Sequence, residues 1–204
     1  MQLTPGTQGY DAAIRAFVQA SLSLDFHEVC QDILEFLPPA PARILDVGTG
    51  VGQNAAALAA MGHSVVAVEP MRAFLTIARA EHAASDIRWL EDSLPQLQQL
   101  DAAGPGFDFI LVEAVWHHLD ESERAAALAR LGSLLKPGGR CALSLRNGPA
   151  GVGTHVFPTC ATQTLQQAEA LQLRCRFQRD RLASILPQKP DVTWSRIVLE
   201  KPNP

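Results

Sequence analysis

The chain has 204 residues, of which 47% are hydrophobic and 19% charged, so it holds enough apolar material for one folded domain and is not a disordered chain. Its net charge is −4 and unevenly spread: seven of the 17 Lys/Arg but only four of the 21 Asp/Glu fall in residues 151–204. An acidic body repels polyanions, which disfavours a nucleic-acid partner, and no stretch approaches the roughly 20 apolar residues of a membrane span.

The first residues, Met1 to Gly6, have neither the basic start nor the apolar run of a signal peptide. Four cysteines (Cys30, Cys141, Cys160, Cys175) stand far apart with no C-x-x-C pair. That spacing predicts buried, reduced thiols, no metal site and a cytoplasmic location.

Ile14, Phe17, Val18 and Leu22 recur at helical spacing, and Phe26, Val29, Cys30, Ile33, Leu34 and Leu37 do so more strongly. Two opening helices are expected, the second stopped by Pro38-Pro39. Residues 1–37 then form a helical cap on a core over residues 40–204, all within one domain. Residues 43–47 read as the first buried strand, broken at Gly48. A helix over 53–61 closes at Gly62, and the continuous valines of 64–68 suit a strand covered on both faces. A helix over 71–80 and strands over 87–90 and 107–112 follow. Asp120 starts another helix, with Glu123 placed to complete a capping box and Leu128, Leu131 and Leu135 on one face. Lys136-Pro137-Gly138-Gly139 ends it before a fifth strand over 141–145. After a helix over 162–170, Leu171, Leu173, Cys175 and Phe177 alternate with Gln172, Arg174, Arg176 and Gln178, as in a strand with one wet face. Residues 192–199 close the sheet. This alternation predicts an α/β three-layer sandwich with a mostly parallel sheet.

The chemistry concentrates in Ile44-Leu45-Asp46-Val47-Gly48-Thr49-Gly50-Val51-Gly52. A strand that runs through glycines into a helix makes a tight turn whose backbone can approach a ligand, backed by unpaired N–H groups. Nineteen residues after Gly50, Glu69 ends the second strand, where a carboxylate can accept both hydroxyls of a ribose. A nicotinamide oxidoreductase would want its third glycine in the G-x-G-x-x-G register, and Gly52 is off it. Asp46, two residues before the loop, suits a cationic amino-acid moiety better than a pyrophosphate.

In this arrangement the sequence resembles the class I S-adenosylmethionine-dependent methyltransferases over roughly residues 40–148. The glycine segment is similar to that family's first motif and Val66-Ala67-Val68-Glu69-Pro70 to its ribose-binding strand end. Leu90-Glu91-Asp92-Ser93-Leu94-Pro95 is similar to its adenine-binding segment, and the run from Phe107 to Leu119 to its fourth-strand motif. Leu134-Leu135-Lys136-Pro137-Gly138-Gly139 resembles the turn before strand five. The resemblance implies a seven-stranded sheet in the order 3-2-1-4-5-7-6 with strand 7 antiparallel. It also implies S-adenosylmethionine as cofactor and S-adenosylhomocysteine as product. Gly48, Gly50 and Gly52 would then line the methionine moiety and Asp46 would hold its ammonium. Glu69 and Pro70 would meet the ribose, Met71 the adenine face, and Asp92 with Ser93 its polar edge; Tyr10 would cover the cofactor carboxylate and Glu113 would wall the pocket.

Groups near the transferred methyl are expected from the ends of strands 4 and 5. They are Trp116 as a lid, His117 and His118 as candidate general bases, and Arg146 and Asn147. The connection from 178 to 191 would bring Arg179, Arg181 and Lys189 over the acceptor, where with Arg146 they could hold a carboxylate or phosphate. With only residues 1–37 and 148–160 available as cover, a small or medium-sized acceptor methylated by in-line displacement is expected. An RNA or protein acceptor, or a non-catalytic module that binds the cofactor, remains open from sequence.

Overall fold

The computed structural model describes residues 6–186 and 188–204. Met1 to Pro5, on which the expectation about export rests, and Pro187 lie outside the described residues. Strand β1 (Arg43–Val47) is apolar on both faces: Leu45 and Val47 turn to one side and Ile44 to the other. Such a strand has to be covered twice, which places it at the centre of a sheet between two layers. Its neighbours are β2 (Ser64–Val68), β3 (Ile87–Leu90), β4 (Phe107–Val112), β5 (Leu135–Asn147), β6 (Arg174–Ala183) and β7 (Thr193–Glu200). They form one seven-stranded sheet in the order β3-β2-β1-β4-β5-β7-β6, in which β7 runs antiparallel to both neighbours and the remaining pairs are parallel.

On the Leu45 side lie α5 (Glu121–Leu134) and α6 (Ala161–Ala170), which contribute Ala127, Leu128, Leu131 and Ala168 to the larger core. Each fully buried leucine there contributes about 1.5–3 kcal/mol relative to exposure. The Ile44 side is covered by α3 (Gln53–Ala60) and by the N-terminal segment through Phe26, Cys30 and Ile33. Helices α1 (Ile14–Leu22) and α4 (Arg72–Glu81) meet in a third cluster of Val51, Met71 and Phe74 with Ile14, Phe17 and Val18. The capping box of α5 is present as the sequence predicts: the Asp120 carboxylate accepts from Glu123 N–H and the Glu123 carboxylate from Asp120 N–H, both at 2.8 Å. Among the described residues no helix is long and apolar enough to cross a membrane.

The register fixes where a site can form. Val47 pairs with Val68 and with Val112, and Val68 pairs with Leu90. The residues that follow these four therefore rim a single edge of the sheet, the carboxyl edge where open α/β sheets bind ligands.

Four expectations need correction. The second opening helix is only α2 (Phe26–Val29), followed by turns and a 3₁₀ turn at Leu34–Phe36. Its continuation is lost because the Val29 carbonyl accepts from Arg196 Nη2 at 2.9 Å, while Ile33 N–H turns back to Cys30. Residues 136–139 do not precede the fifth strand but bulge within β5, with Leu135 opposite Phe107 and Arg140 opposite Phe109. Strand β6 starts at Arg174 and runs to Ala183, because Leu171 still caps α6 and Gln172 holds a left-handed φ of 61°. The 178–191 connection is thus strand through Ala183. Finally, Cys30 and Cys141 are buried, but Cys160 and Cys175 are exposed.

Candidate functional site

The turn after β1 is built from backbone. Gly48 N–H and Thr49 N–H both donate to the Val68 carbonyl, at 2.8 and 3.0 Å, which folds the chain sharply at the end of the strand. Gly48 has φ of +70°, and a Cβ there would come within 2.3 Å of Val115 Cγ2, so only glycine fits. Beneath the turn Asp46 is fully buried; its carboxylate accepts from Thr49 Oγ1 at 2.5 Å and from the Ala55 N–H. Burial pushes its pKa up to about 7 against the pull of those donors. Asp46 therefore ties the loop to α3 from below.

Glu69, the first residue after β2, is buried and faces the same edge. Its two carboxylate oxygens accept from Gly50 N–H at 3.0 Å and from Met71 N–H at 2.9 Å. Burial raises its pKa to about 7, with the two N–H donors opposing and the nearby Asp46 adding to the rise. Asp92, two residues past β3, is held alike by Ser93 N–H at 2.8 Å and Gln99 N–H at 2.7 Å.

These groups open onto a cavity of about 540 Å³. One end is lined by Gly48, Gly50, Glu69, Pro70, Met71, Asp92 and Ser93. Tyr10, Phe17 and Phe74 cover it, the two phenyl rings stacked at 4.6 Å and Tyr10 edge-on to both. Toward β5 and β7 the lining continues with Glu113, His117, His118, Arg146, Lys189, Trp194 and Arg196, and the Tyr10–His118 contact joins the two parts.

The histidine pair is neutral by construction. His118 lies 2.8 Å from the His155 carbonyl through Nδ1 and 3.0 Å from the Tyr10 hydroxyl through Nε2. A carbonyl only accepts, so Nδ1 carries the proton and Nε2 accepts from Tyr10. Burial lowers the pKa of His118, and it drives that of His117 down to about 2, helped by His118, Arg146, Arg124 and Lys189. Burial, with Glu69 beside it, raises Tyr10 to about 12.

The structure gathers most of the residues singled out from sequence and leaves others aside. Tyr10, Gly48, Gly50, Glu69, Pro70, Met71, Asp92, Ser93, Glu113, His117, His118 and Arg146 line the cavity; Asp46, Gly52, Trp116, Asn147, Arg179 and Arg181 do not. Gly52 caps α3 with φ of +86°, packed against Trp89. Trp116 is fully buried in the core, its indole N–H donating to Thr164 Oγ1 at 3.3 Å. Asn147 pins the following loop through the backbone of Thr159. Arg179 is drawn off to Asp32, and Arg181 is an exposed residue at a bulge in β6.

Sequence reasoning missed Phe17, Phe74, Trp194 and Arg196. Arg196 did leave a signal: it is a charge set directly before the apolar run Ile197-Val198-Leu199 of the closing strand, and it forms a buried ion pair with Glu113. That pair, together with the Arg196 contact to the Val29 carbonyl, fastens the N-terminal segment to the sheet.

Residues 44–139 match the family model described as a methyltransferase domain. An uncharacterised methyltransferase of Mycobacterium tuberculosis (strain ATCC 25618 / H37Rv) is 38% identical over 111 residues, 52% of this chain and 54% of that protein. A ubiquinone biosynthesis O-methyltransferase of Xanthomonas axonopodis pv. citri is 31% identical over 112 residues, 54% of this chain and 46% of that protein. The chain thus spans about half the length of the curated relatives it matches. Among solved structures, the fold is shared with the 1,6-didemethyltoxoflavin-N1-methyltransferase of Burkholderia thailandensis, whose structure holds 1,6-didemethyltoxoflavin and S-adenosylhomocysteine. That match has a TM-score of 0.69 at 18% identity and covers 100% of this chain and 93% of that one.

Proposed function

We propose that this chain, whose residues 44–139 match a methyltransferase domain, is a class I S-adenosylmethionine-dependent methyltransferase that moves a methyl group onto a small or medium-sized acceptor inside the cavity. The observation that carries this reading is the single cavity shared by a glycine turn, two strand-end carboxylates and a second, chemically distinct end. Its volume falls within the range of about 300–1,000 Å³ typical of small-molecule sites. When bound, S-adenosylmethionine supplies a methyl on a positively charged sulfur, which leaves as a neutral thioether while an acceptor lone pair forms the new bond.

The residues fit that cofactor. The left-handed turn at Gly48 and Gly50 leaves backbone, not side chain, facing the ligand. Gln53 at the start of α3 has a buried side-chain oxygen without a partner among the described residues, ready to accept from an ammonium. Glu69 would accept the ribose hydroxyls, since each of its oxygens has a lone pair left after its backbone N–H. Met71 would pack on the adenine face, and Asp92 with Ser93 would meet the adenine edge. Tyr10, Phe17 and Phe74 would exclude water above it. Residues 1–37 would act as the cap on a core over residues 40–204.

The histidines serve this reading as neutral walls. His117 has a pKa far below that of a working base, and both ring nitrogens of His118 are engaged, so His118 positions Tyr10. Alignment of the acceptor behind the methyl is then the main contribution of the protein.

Isothermal titration with S-adenosylhomocysteine tests the reading, and micromolar affinity is expected. In Glu69→Gln the new amide N–H₂ faces a backbone N–H it cannot accept from, and affinity should fall by about ten- to a hundred-fold. The pH dependence carries a sign. Donated ribose hydroxyls favour the carboxylate, so binding lowers the Glu69 pKa from about 7 and releases protons. Affinity should therefore rise between pH 6 and pH 8. Undetectable binding, or equal affinity in Glu69→Gln, would remove the basis for the proposal.

A further inference from the structure

We propose that the end of the cavity away from Glu69 receives an anion, so that the acceptor is a small acid: an apolar or aromatic body bearing a carboxylate or a phosphate. The proposal rests on the methyl-transfer reading and specifies its substrate.

Arg146 sits near the carboxyl end of β5, with β4 between it and the glycine turn of β1. Two strand spacings set its backbone about 10 Å from that turn, while its guanidinium lies close enough to Tyr10 to act on it electrostatically. The side chain is only 7% exposed. Its guanidinium donates to the carbonyls of Gly148, at 3.5 Å, and Pro149, at 2.6 Å. Lys189 reaches the same space from the connection between β6 and β7, its Nζ 3.9 Å from where a Cβ on Gly151 would stand. Among the described residues no carboxylate lies within ion-pair distance of either cation.

The acids on the same walls are already engaged. Glu113 pairs with Arg196 and Asp32 with Arg179, while Glu69 and Asp92 accept from backbone N–H groups; Glu28, at the rim, is exposed to solvent. Arg146 and Lys189 therefore face one space as like charges without a counter-charge. Burial holds both pKa values below their usual ranges, and Arg146 lowers that of Lys189 further. An incoming anion relieves this repulsion and accepts charge-assisted hydrogen bonds from two sides. Trp194 stands opposite Arg146 in the β5–β7 register and Leu186 accepts from Lys189 N–H, and with Leu24, Val29 and Leu182 they give the cavity apolar surface that suits the body of the molecule rather than its charge.

The test uses the full chain saturated with S-adenosylhomocysteine and titrated with three probes: 4-hydroxybenzoate, phenyl phosphate and the neutral 4-hydroxybenzamide. At least one anionic probe should bind about ten-fold more tightly than the amide, and the better of the two identifies carboxylate or phosphate as the preferred group. In Lys189→Gln, and separately in Arg146→Gln, that preference should shrink to about two-fold while the amide binds as before. Equal affinity for charged and neutral probes overturns the anion site. So does a preference that survives both substitutions, or no binding by any probe to the saturated protein. Failure of the unaltered chain to bind S-adenosylhomocysteine is a different result and fails the cofactor reading itself.

Discussion

Gly48 and Gly52 both hold left-handed backbone, yet they answer to different neighbours. Gly48 lines the cavity and abuts Val115, whereas Gly52 caps α3 behind the loop, where a Cβ would lie 2.5 Å from Trp89 Cη2 and 3.0 Å from His82 Cδ2. Gly52→Ala therefore strains backbone and packing together and should cost about 1–3 kcal/mol. Because Gly52 stands off the cavity wall, the folded fraction should keep its affinity for S-adenosylhomocysteine, within about two-fold. Thermal melting read beside calorimetry checks this: an unchanged Tm, or a large loss of affinity at full folding, contradicts the packing role. The glycine spacing itself was legible in the sequence, but the side each glycine faces was not. Gly52 is decided by Trp89 and His82, which arrive from elements after β2. The same holds for Glu113 and Arg196, 83 residues apart, whose pairing only the β4–β5 and β5–β7 neighbourhoods bring about.

Elements closed by local chemistry were legible, and those decided by distant partners were not. Helix α5 begins where Asp120 and Glu123 satisfy each other's N–H groups, a pattern contained in four consecutive residues. Asp120→Ala removes an acceptor for the Glu123 N–H and should lower Tm by about 2–4 °C, with Asp120→Ser restoring most of the loss. An equal drop in both variants would show that the box does not hold the helix end. Residues 26–37 have a stronger apolar period than α1 but form only one helical turn, because Arg196 and the core claim Val29, Cys30 and Ile33. Strand β6 was misjudged at both ends for a related reason. Its side chains are mostly exposed, so hydrophobic alternation marks only its first half, and pairing with β7 sets its extent.

At the scale of the molecule the sheet order follows from parallel strands joined by helices, whose crossovers have few alternatives. How the cap closes does not follow, because it depends on two irregular segments more than a hundred residues apart. Gly9 would place a Cβ 2.5 Å from the Val152 carbonyl, and Gly153 one 2.6 Å from Tyr10 Cε2, so the segments mesh through their glycines. Thr154 N–H donates to the Gln8 carbonyl at 2.9 Å, and Tyr10 bonds His118, which in turn holds the His155 carbonyl. With Phe17 over Gly50, this joint cover lies across the end of the cavity that contains Glu69. A nucleoside held beneath this cover contacts both segments and so opposes their parting. Amide hydrogen exchange should therefore slow in residues 7–22 and 151–156 together when S-adenosylhomocysteine is added. If parting must release the ligand, the slowing at a hundred times the Kd approaches a hundred-fold. Protection of one segment without the other would mean that they open independently. Unchanged exchange in both would mean that the cofactor is not held beneath this cover.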